Sequence, residues 1–362
     1  MKDVYAVVLA GGKGERFWPL SRTDRPKQFL RLTSDRTMIS ETVDRIRPLI
    51  PLEKVVLVTG ENISDKINEH VPDLPRENVL IEPFGKNTCM AIAYAAAHVY
   101  RKDPNAVMIV LSCDHLIRPA EKLLEALEAA IKVTTSGDYL VTIGIVPTRA
   151  ETGYGYIQLS DIFNTVDGID IYRINRFKEK PSRMAAQEYY YDRKHLWNSG
   201  IFIWSVESIV AAIKKYAPRI GKLMDQLIEC IETPEEAAIK EDVYSQAENV
   251  SIDVAILERA DNVLTIKSNF IWDDVGSWLA LERFKQRDKH HNVSIGKAFQ
   301  AETFETTIVN DDDDGIITTF GVSDLVIVKT KGIVMVAHKT KVPEIKDFVS
   351  RIAEDDALQE YL

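Results

Sequence analysis

Short apolar runs and longer amphipathic ones alternate along the first half of the chain. The short runs, at 4–9, 54–59, 78–81 and 106–111, are rich in Val, Ile and Leu and too brief for helices. They read as strands buried within a sheet. Between them, residues 40–50, 87–100 and 119–135 carry helical spacing over lengths that suit right-handed crossovers. The alternation predicts an α/β fold with a Rossmann-like, mixed but mostly parallel sheet. Ligands of such sheets sit beyond the carboxyl ends of the strands.

From Tyr139 the pattern loosens. Strands are predicted at 139–145, 156–159, 171–178 and 201–205, with helices between 207 and 246, as a substrate-binding extension of the same sheet. After Lys289 the helical signal fades. Apolar runs at 306–309, 315–319, 325–329 and 333–337 recur between turns, and helical spacing returns at 342–352. We therefore divide the chain at residue 288, with one large domain at 1–288 and a small β domain ending in a helix at 289–362.

Composition narrows the classes of function. The chain has 362 residues and a formal net charge of −10, which argues against a general nucleic-acid binder because such proteins carry a basic field. No apolar run approaches the ~18 residues of a membrane span, and Met1 and Lys2 are followed at once by Asp3, unlike a signal peptide. The three cysteines, Cys89, Cys113 and Cys230, form no C-x-x-C pair and fit a reducing cytoplasm. Against the acidic background stands a local cationic island of Lys13, Arg16, Arg22, Arg25 and Lys27, opposed only by Glu15 and Asp24. Such an island suits a small, highly anionic ligand.

That island lies within LAGGKGERFWPLSRTDRPKQF, residues 9–29. Gly11, Gly12 and Gly14 let backbone amides approach phosphate oxygens, since no side chain intervenes. A glycine turn after a strand is common, and the dinucleotide fingerprint differs in spacing and opens directly into a helix. Here Pro19 and Pro26 forbid one continuous helix. The segment reads as an extended wrap around a triphosphate, with Arg16 and Lys27 neutralising charge.

The succession G-G-x-G-x-R, W-P-L-S-R and P-K-Q-F resembles the mannose-1-phosphate guanylyltransferase family of sugar-phosphate nucleotidyltransferases. The resemblance runs from Val4 to about Ile352. It implies that Leu9, Ala10, Gly11, Gly12 and Gly14 hold the nucleotide together with EPFGKNT, where Glu82, Pro83, Gly85, Asn87 and Thr88 would form a base-recognition loop. A carboxylate or a backbone carbonyl near Glu82 would accept from guanine N1–H and its 2-amino group, a pair of donors that adenine lacks. Asn87 also suits a helix cap. Glu82 by itself would be an ordinary surface acid.

Asp114, in SCDH, closes a strand-like run where a carboxylate can meet Mg²⁺, although a helix-capping aspartate would look the same. The family has alanine where Cys113 stands, a small departure. The second metal ligand implied is Asp274 in WDDVGSW, with Asp273 as runner-up, since spacing cannot separate neighbours. Gly153 and Tyr154 of ETGYGYI, Glu179 and Lys180 of FKEKP and Asn198 of WNSGIF would bind the sugar phosphate, with Arg16, Lys27 and Lys180 as catalytic cations. The products implied by GTP and mannose 1-phosphate are GDP-mannose and pyrophosphate, made by a homodimer that joins through a β-helix-like C-terminal domain. Longer relatives continue into an isomerase module, and this chain is expected to lack one.

Other readings stay open. The sugar could be another 1-phosphate, such as a heptose. A catalytically silent nucleotide-sugar binder would regulate a partner instead, but it would not need both acids and both lysines. A nicotinamide oxidoreductase fits the loop spacing less well. The acidic run Asp311–Asp314 reads as a solvated turn, His290 and His291 as a surface pair, and Tyr189 to Tyr191 as packing on a helix.

Overall fold

The computed structural model describes residues 2–12 and 14–362. It divides into two compact units. One holds the segments up to Gly11, Thr42–Cys113 and Ile117–Trp272, and the other holds Gly12–Glu41, Asp114–Leu116 and Asp273–Leu362.

The first unit is built on a nine-stranded sheet. Across it the strands run Val79–Glu82, Val55–Gly60, Val4–Leu9, Val107–Ser112, His195–Ser205, Leu140–Ile145, Val263–Lys267, Ile169–Lys178 and Tyr156–Val166. The first four are mutually parallel, as is the pair Val263–Lys267 with Leu140–Ile145. His195–Ser205 runs against both of its neighbours, and Ile169–Lys178 against both of its own, giving the mixed, mostly parallel sheet expected. The predicted strand at 201–205 is the end of a longer one. WNSGIF therefore stands inside the sheet with Trp197 and Ser199 buried. Alternation is masked there because both faces are covered.

Helix Asn87–Lys102 lies in the core with every residue from Cys89 to Val99 buried. Its run Ala91-Ile-Ala-Tyr-Ala-Ala-Ala explains this, since alanine favours helix and lets neighbours approach closely. Leu223, Met224 and Leu227 of helix Pro218–Cys230 and Ile209 and Ile213 of helix Val206–Tyr216 belong to the same core. Cys89, Cys113 and Cys230 are all buried and reduced.

In the second unit, the apolar part of the glycine-rich motif is core. Phe17 meets Trp278 edge to face at 5.0 Å, and Trp278 Nε1 donates to Trp18 O at 3.1 Å. Phe17, Trp18, Leu20, Leu30 and Leu32 are buried with Val275, Leu281, Val326 and Val328. The β part of this unit pairs Val293–Ile295, Thr307–Asn310 and Leu325–Thr330 in parallel, closes on antiparallel Ile333–His338, and sets Ala298–Phe304 parallel to Ile317–Ser323. Such stacked parallel turns are β-helix-like. The strands Val293–Ile295 and Ala298–Phe304 were not legible, the first because its three residues are too few to show a period and the second because the exposed Phe299 breaks the apolar-in pattern. The terminal helix is shorter than its apolar spacing suggested. A 3₁₀ turn, Lys339–Glu344, containing Pro343 precedes helix Ile345–Ile352.

The acidic run is an anchored turn. Arg25 pairs with Asp311 at 2.7 Å and Lys329 with Asp312 at 3.0 Å. Arg22 donates to Lys331 O at 3.0 Å. Two cations of the island thus serve the small domain's architecture. Lys13, another member, lies outside the described residues, as does Met1. His290 packs edge-on against Phe304, and Tyr189 stacks on His195 at 4.1 Å. No helix among the described residues is long and apolar enough to cross a membrane.

Candidate active site

In the second unit, Gly14, Arg16, Lys27, Asp114, His115, Asp274 and Gly276 line a cavity of about 310 Å³. Lys27 opens a short 3₁₀ turn whose entry is set by Pro26. Although only 7% exposed, its ammonium has two oxygen partners, Asp114 Oδ2 at 2.7 Å and Asp274 O at 2.8 Å. The Phe17 ring lies 5.9 Å from it, a cation–π distance. A buried ammonium is tolerable only with such partners. Burial would push the Asp114 carboxyl up, but the neighbouring Lys27 ammonium and His115 reverse this and hold it below the usual range.

Gly14 makes this packing possible. It sits in the left-handed region at φ +63°, and a Cβ there would lie 2.5 Å from Lys27 Cβ and 2.9 Å from Lys27 N. Backbone cannot yield as a side chain can. Gly14→Ala is expected to cost about 2–3 kcal/mol, as overpacking does, with a lower denaturant midpoint and reduced turnover as the readouts.

The WDDVGSW turn separates its two acids. Asp273 is 6% exposed, receives both Nε and Nη2 of Arg283, the latter at 2.6 Å, and accepts from Val275 N at 2.8 Å. Asp274 faces the cavity, with Oδ1 3.7 Å from Arg283 Nη2. Val275 takes φ +45° with its side chain fully buried, a strained conformation for a β-branched residue. The Asp273 side chain and the core around Val275 hold that strain. Gly276 leaves the space for Asp274, whose Oδ2 would lie 2.5 Å from a Cβ there.

In the first unit, Leu9 ends its strand and Ala10 is tied back by its N–H to Val58 O at 2.8 Å and by its carbonyl to Thr59 at 3.3 Å. The exposed Gly11 follows, and Gly12, also exposed, belongs to the second unit. Glu82 ends strand Val79–Glu82 and is 7% exposed, contrary to its reading as a surface acid. Its Oε2 would stand 3.9 Å from a Cβ on Gly11, and its Oε1 accepts from the Tyr244 hydroxyl at 3.2 Å. Burial pushes the Glu82 carboxyl up to about 7, against the lowering effect of the Tyr244 hydrogen bond.

Pro83 and Gly85 continue the loop to helix Asn87–Lys102. Asn87 adopts φ +65° and its side chain accepts from Thr88 N at 2.9 Å, a local turn in place of a cap on the helix. The Thr88 hydroxyl accepts from Ile252 N at 3.0 Å.

Glu179, Gly155 and Asn198 come together in the same unit. A Cβ on Gly155 would lie 2.6 Å from Glu179 Oε2 and 3.4 Å from Asn198 Cβ. Asn198 donates to Asp253 Oδ1 at 2.9 Å and accepts from Thr142 at 3.0 Å. Gly153 is exposed on its turn, and its N–H donates to Glu151 at 3.2 Å. Tyr154 is wedged between Trp197 and Trp272, with ring centroids 5.2 and 5.1 Å away, which makes it a packing residue of the loop. Lys180 is exposed at φ +42° and pairs with Glu179.

Asp253 escaped the sequence reading. It opens a π-helical turn, Asp253–Leu257, a distortion frequent at functional sites. Burial, with the Glu179 carboxylate nearby, pushes its carboxyl up to about 7. The only signal in the sequence was an acid inside an otherwise apolar stretch, SIDVAIL.

The chain matches the family model described as nucleotidyl transferase over residues 5–291, and that described as the MannoseP isomerase/GMP-like β-helix domain over 296–352. It is 34% identical to the mannose-1-phosphate guanylyltransferase of Escherichia coli strain K12 over 358 residues, 97% of this chain and 74% of that protein. Identity to the mannose-1-phosphate guanylyltransferase ManC of Salmonella typhimurium is also 34%, over 97% of this chain and 74% of the relative. A crystal structure from Thermus thermophilus, described as a mannose-1-phosphate geranyltransferase, superposes with a TM-score of 0.87 at 34% identity, covering 98% of this chain and 100% of that one.

Proposed function

Because the chain belongs to the mannose-1-phosphate guanylyltransferase family of nucleotidyl transferases, we propose that it converts GTP and α-D-mannose 1-phosphate to GDP-mannose and pyrophosphate. The observation that carries this reading is the buried Lys27 ammonium between the Asp114 carboxylate and the Asp274 carbonyl, at the wall of a cavity that both acids line. The functional division is proposed at 1–288 and 289–362, in keeping with the two matched regions.

The sugar phosphate oxygen attacks the α-phosphorus of GTP, the bond to the β-phosphate oxygen breaks on the opposite side, and pyrophosphate leaves. No covalent enzyme intermediate is required. The nucleophile is already anionic, so the protein's task is to offset repulsion, align the reactants and meet charge on the phosphoryl oxygens. Arg16 and Lys27 hold the phosphates of GTP, with the amides of Gly11, Gly12 and Gly14. Glu82 accepts from guanine on the loop that carries Pro83, Gly85, Asn87 and Thr88. Glu179 and Asn198 accept and donate to sugar hydroxyls beside the Gly153–Tyr154 turn, while Lys180 meets the sugar's phosphate.

Asp114 and Asp274 would hold Mg²⁺. They offer hard oxygen donors at one cavity, and two protein carboxylates suffice for an ion that keeps waters and phosphate oxygens as its other ligands. When bound it supplies Lewis-acid stabilisation of the phosphoryl charge. Assembly as a homodimer through the small β domain is supported by Phe299 and Phe320, which stand 63% and 73% exposed there. A cytoplasmic location suits three reduced, buried cysteines.

Pyrophosphate release tests the proposal. GTP with mannose 1-phosphate should exceed ATP, UTP or glucose 1-phosphate combinations by at least about 100-fold in kcat/KM, a lower bound beneath the roughly 10⁴-fold that a site built for a substrate's hydrogen bonds can reach. Equal use of glucose 1-phosphate or ATP would defeat the assignment.

A further inference from the structure

Tyr244 stands 162 residues from Glu82 along the chain, yet its hydroxyl is the donor to Glu82 Oε1 at 3.2 Å. It comes from helix Glu236–Gln246 and is fully buried, edge-on to Phe84 at 6.1 Å and to Tyr94 at 6.0 Å. The chain beyond it is lashed to the same loop. Lys86 Nζ donates to Ala247 O at 2.9 Å, Cys89 N to Val250 O at 3.2 Å, and Ile252 N to the Thr88 hydroxyl at 3.0 Å. Residues 244–252 therefore wall the 82–89 loop from behind, and Tyr244 is the member of that wall that touches the acid.

We propose that Tyr244 is a positioning residue for purine selection: by donating to Oε1 it fixes the Glu82 carboxylate so that Oε2, on the side of Gly11, is the oxygen offered to guanine. The proposal rests on Glu82 being the base acceptor. Guanine presents two adjacent donors, N1–H and the 2-amino group, which an ionised carboxylate accepts and a protonated one meets with a conflicting O–H. A buried carboxylate needs a donor to stay ionised. Tyr244 supplies one without consuming Oε2.

The titratable groups facing Glu82 are Tyr244 and, from helix Asn87–Lys102, Tyr94, whose hydroxyl is approached by Lys240 Nζ at 3.5 Å. Burial pushes both phenols up, so both stay neutral donors in the neutral range. Glu82, raised to about 7, is then the group that titrates there. Use of GTP should rise with pH through that value, as the carboxylate forms. Loss of the Tyr244 hydrogen bond raises the carboxyl further and moves the acidic limb to higher pH.

The test is Tyr244→Phe in the full chain, which keeps the ring and removes only the donor. Expected are a fall of about 10-fold in kcat/KM for GTP, the scale of one hydrogen bond to a charged group, a smaller preference for GTP over ITP, which lacks the 2-amino group, and an acidic limb displaced upward. The KM for mannose 1-phosphate should not move. Glu82→Gln is measured alongside. If that variant loses guanine preference while Tyr244→Phe keeps the parent's GTP-to-ITP ratio and pH limb, the Tyr244 role is overturned and the Glu82 role stands. If Glu82→Gln keeps guanine preference, both fall. An equal rise in KM for both substrates in Tyr244→Phe would reveal a packing role and overturn the proposal.

Discussion

Replacing Lys27 by alanine is expected to lower turnover at least about 100-fold, the loss associated with removing one preorganised electrostatic donor. The geometry gives the reason. Its ammonium meets Asp114 Oδ2 at 2.7 Å and Asp274 O at 2.8 Å, so one group orders residues that lie 87 and 247 positions away from it along the chain. Truncation leaves the Asp114 carboxylate without that counter-charge and takes the cation from the cavity in which phosphate charge is to be met. Lys27→Met separates charge from packing, since it keeps an apolar stem against Phe17. It should match alanine in lost turnover and exceed it in thermal midpoint. Lys27→Arg should not rescue, because a planar fork cannot reproduce two partners of one nitrogen in a slot that leaves the side chain 9% exposed. Steady-state pyrophosphate release with a melting curve on each variant suffices, and near-normal turnover without Lys27 would remove it from the mechanism.

Much of the fold was legible because its parallel strands are buried on both faces and hence written as uninterrupted apolar runs, as at Val4–Leu9 and Val107–Ser112. The glycine-rich motif was legible as a site and only partly as a set of roles. Charge alone could not say that Arg25 is spent on Asp311 and Arg22 on Lys331 O, nor that Phe17 and Trp18 in the same motif serve a core with Trp278. Such partners lie hundreds of positions away. Adjacent acids in WDDVGSW were equivalent on paper, and only the turn through Val275 gives one to Arg283 and the other to the cavity. Asp253 and Tyr244 had no motif around them. Their relevance comes from where the helices between 206 and 257 return the chain, to Asn198 and to Glu82. Local pattern carries no record of such returns. Glu82 differs in kind: its loop was recognisable, but no local pattern records its burial or its contact with the distant Tyr244, so by itself it looked like a surface acid.

Asp274→Asn and Asp273→Asn should fail in opposite ways. Asp274 is partly exposed to the cavity, and its loss of charge should abolish Mg²⁺-dependent turnover, since an amide is a poor substitute for a carboxylate on a hard divalent ion. The fold should survive, because the Lys27 contact is made by the Asp274 backbone carbonyl, which the substitution keeps. Asp273 is buried and holds Arg283 through two nitrogens while capping Val275 N. Its replacement takes from the partly buried Arg283 guanidinium the carboxylate it meets through two nitrogens and leaves Asp274, 3.7 Å away, as the nearby acid, at a cost on the order of 2–3 kcal/mol once the solvent access of Arg283 is allowed for. It also loosens a contact that steadies a strained β-branched residue. Asp273→Asn should therefore show a lower denaturant midpoint, a milder loss of turnover, and an unchanged Mg²⁺ requirement, whereas Asp274→Asn should show a parental midpoint and no response to added Mg²⁺. Titrating metal into both variants, with unfolding followed in parallel, decides between the assignments: the reverse ranking would make Asp273 the metal ligand and Asp274 the residue that shapes the turn.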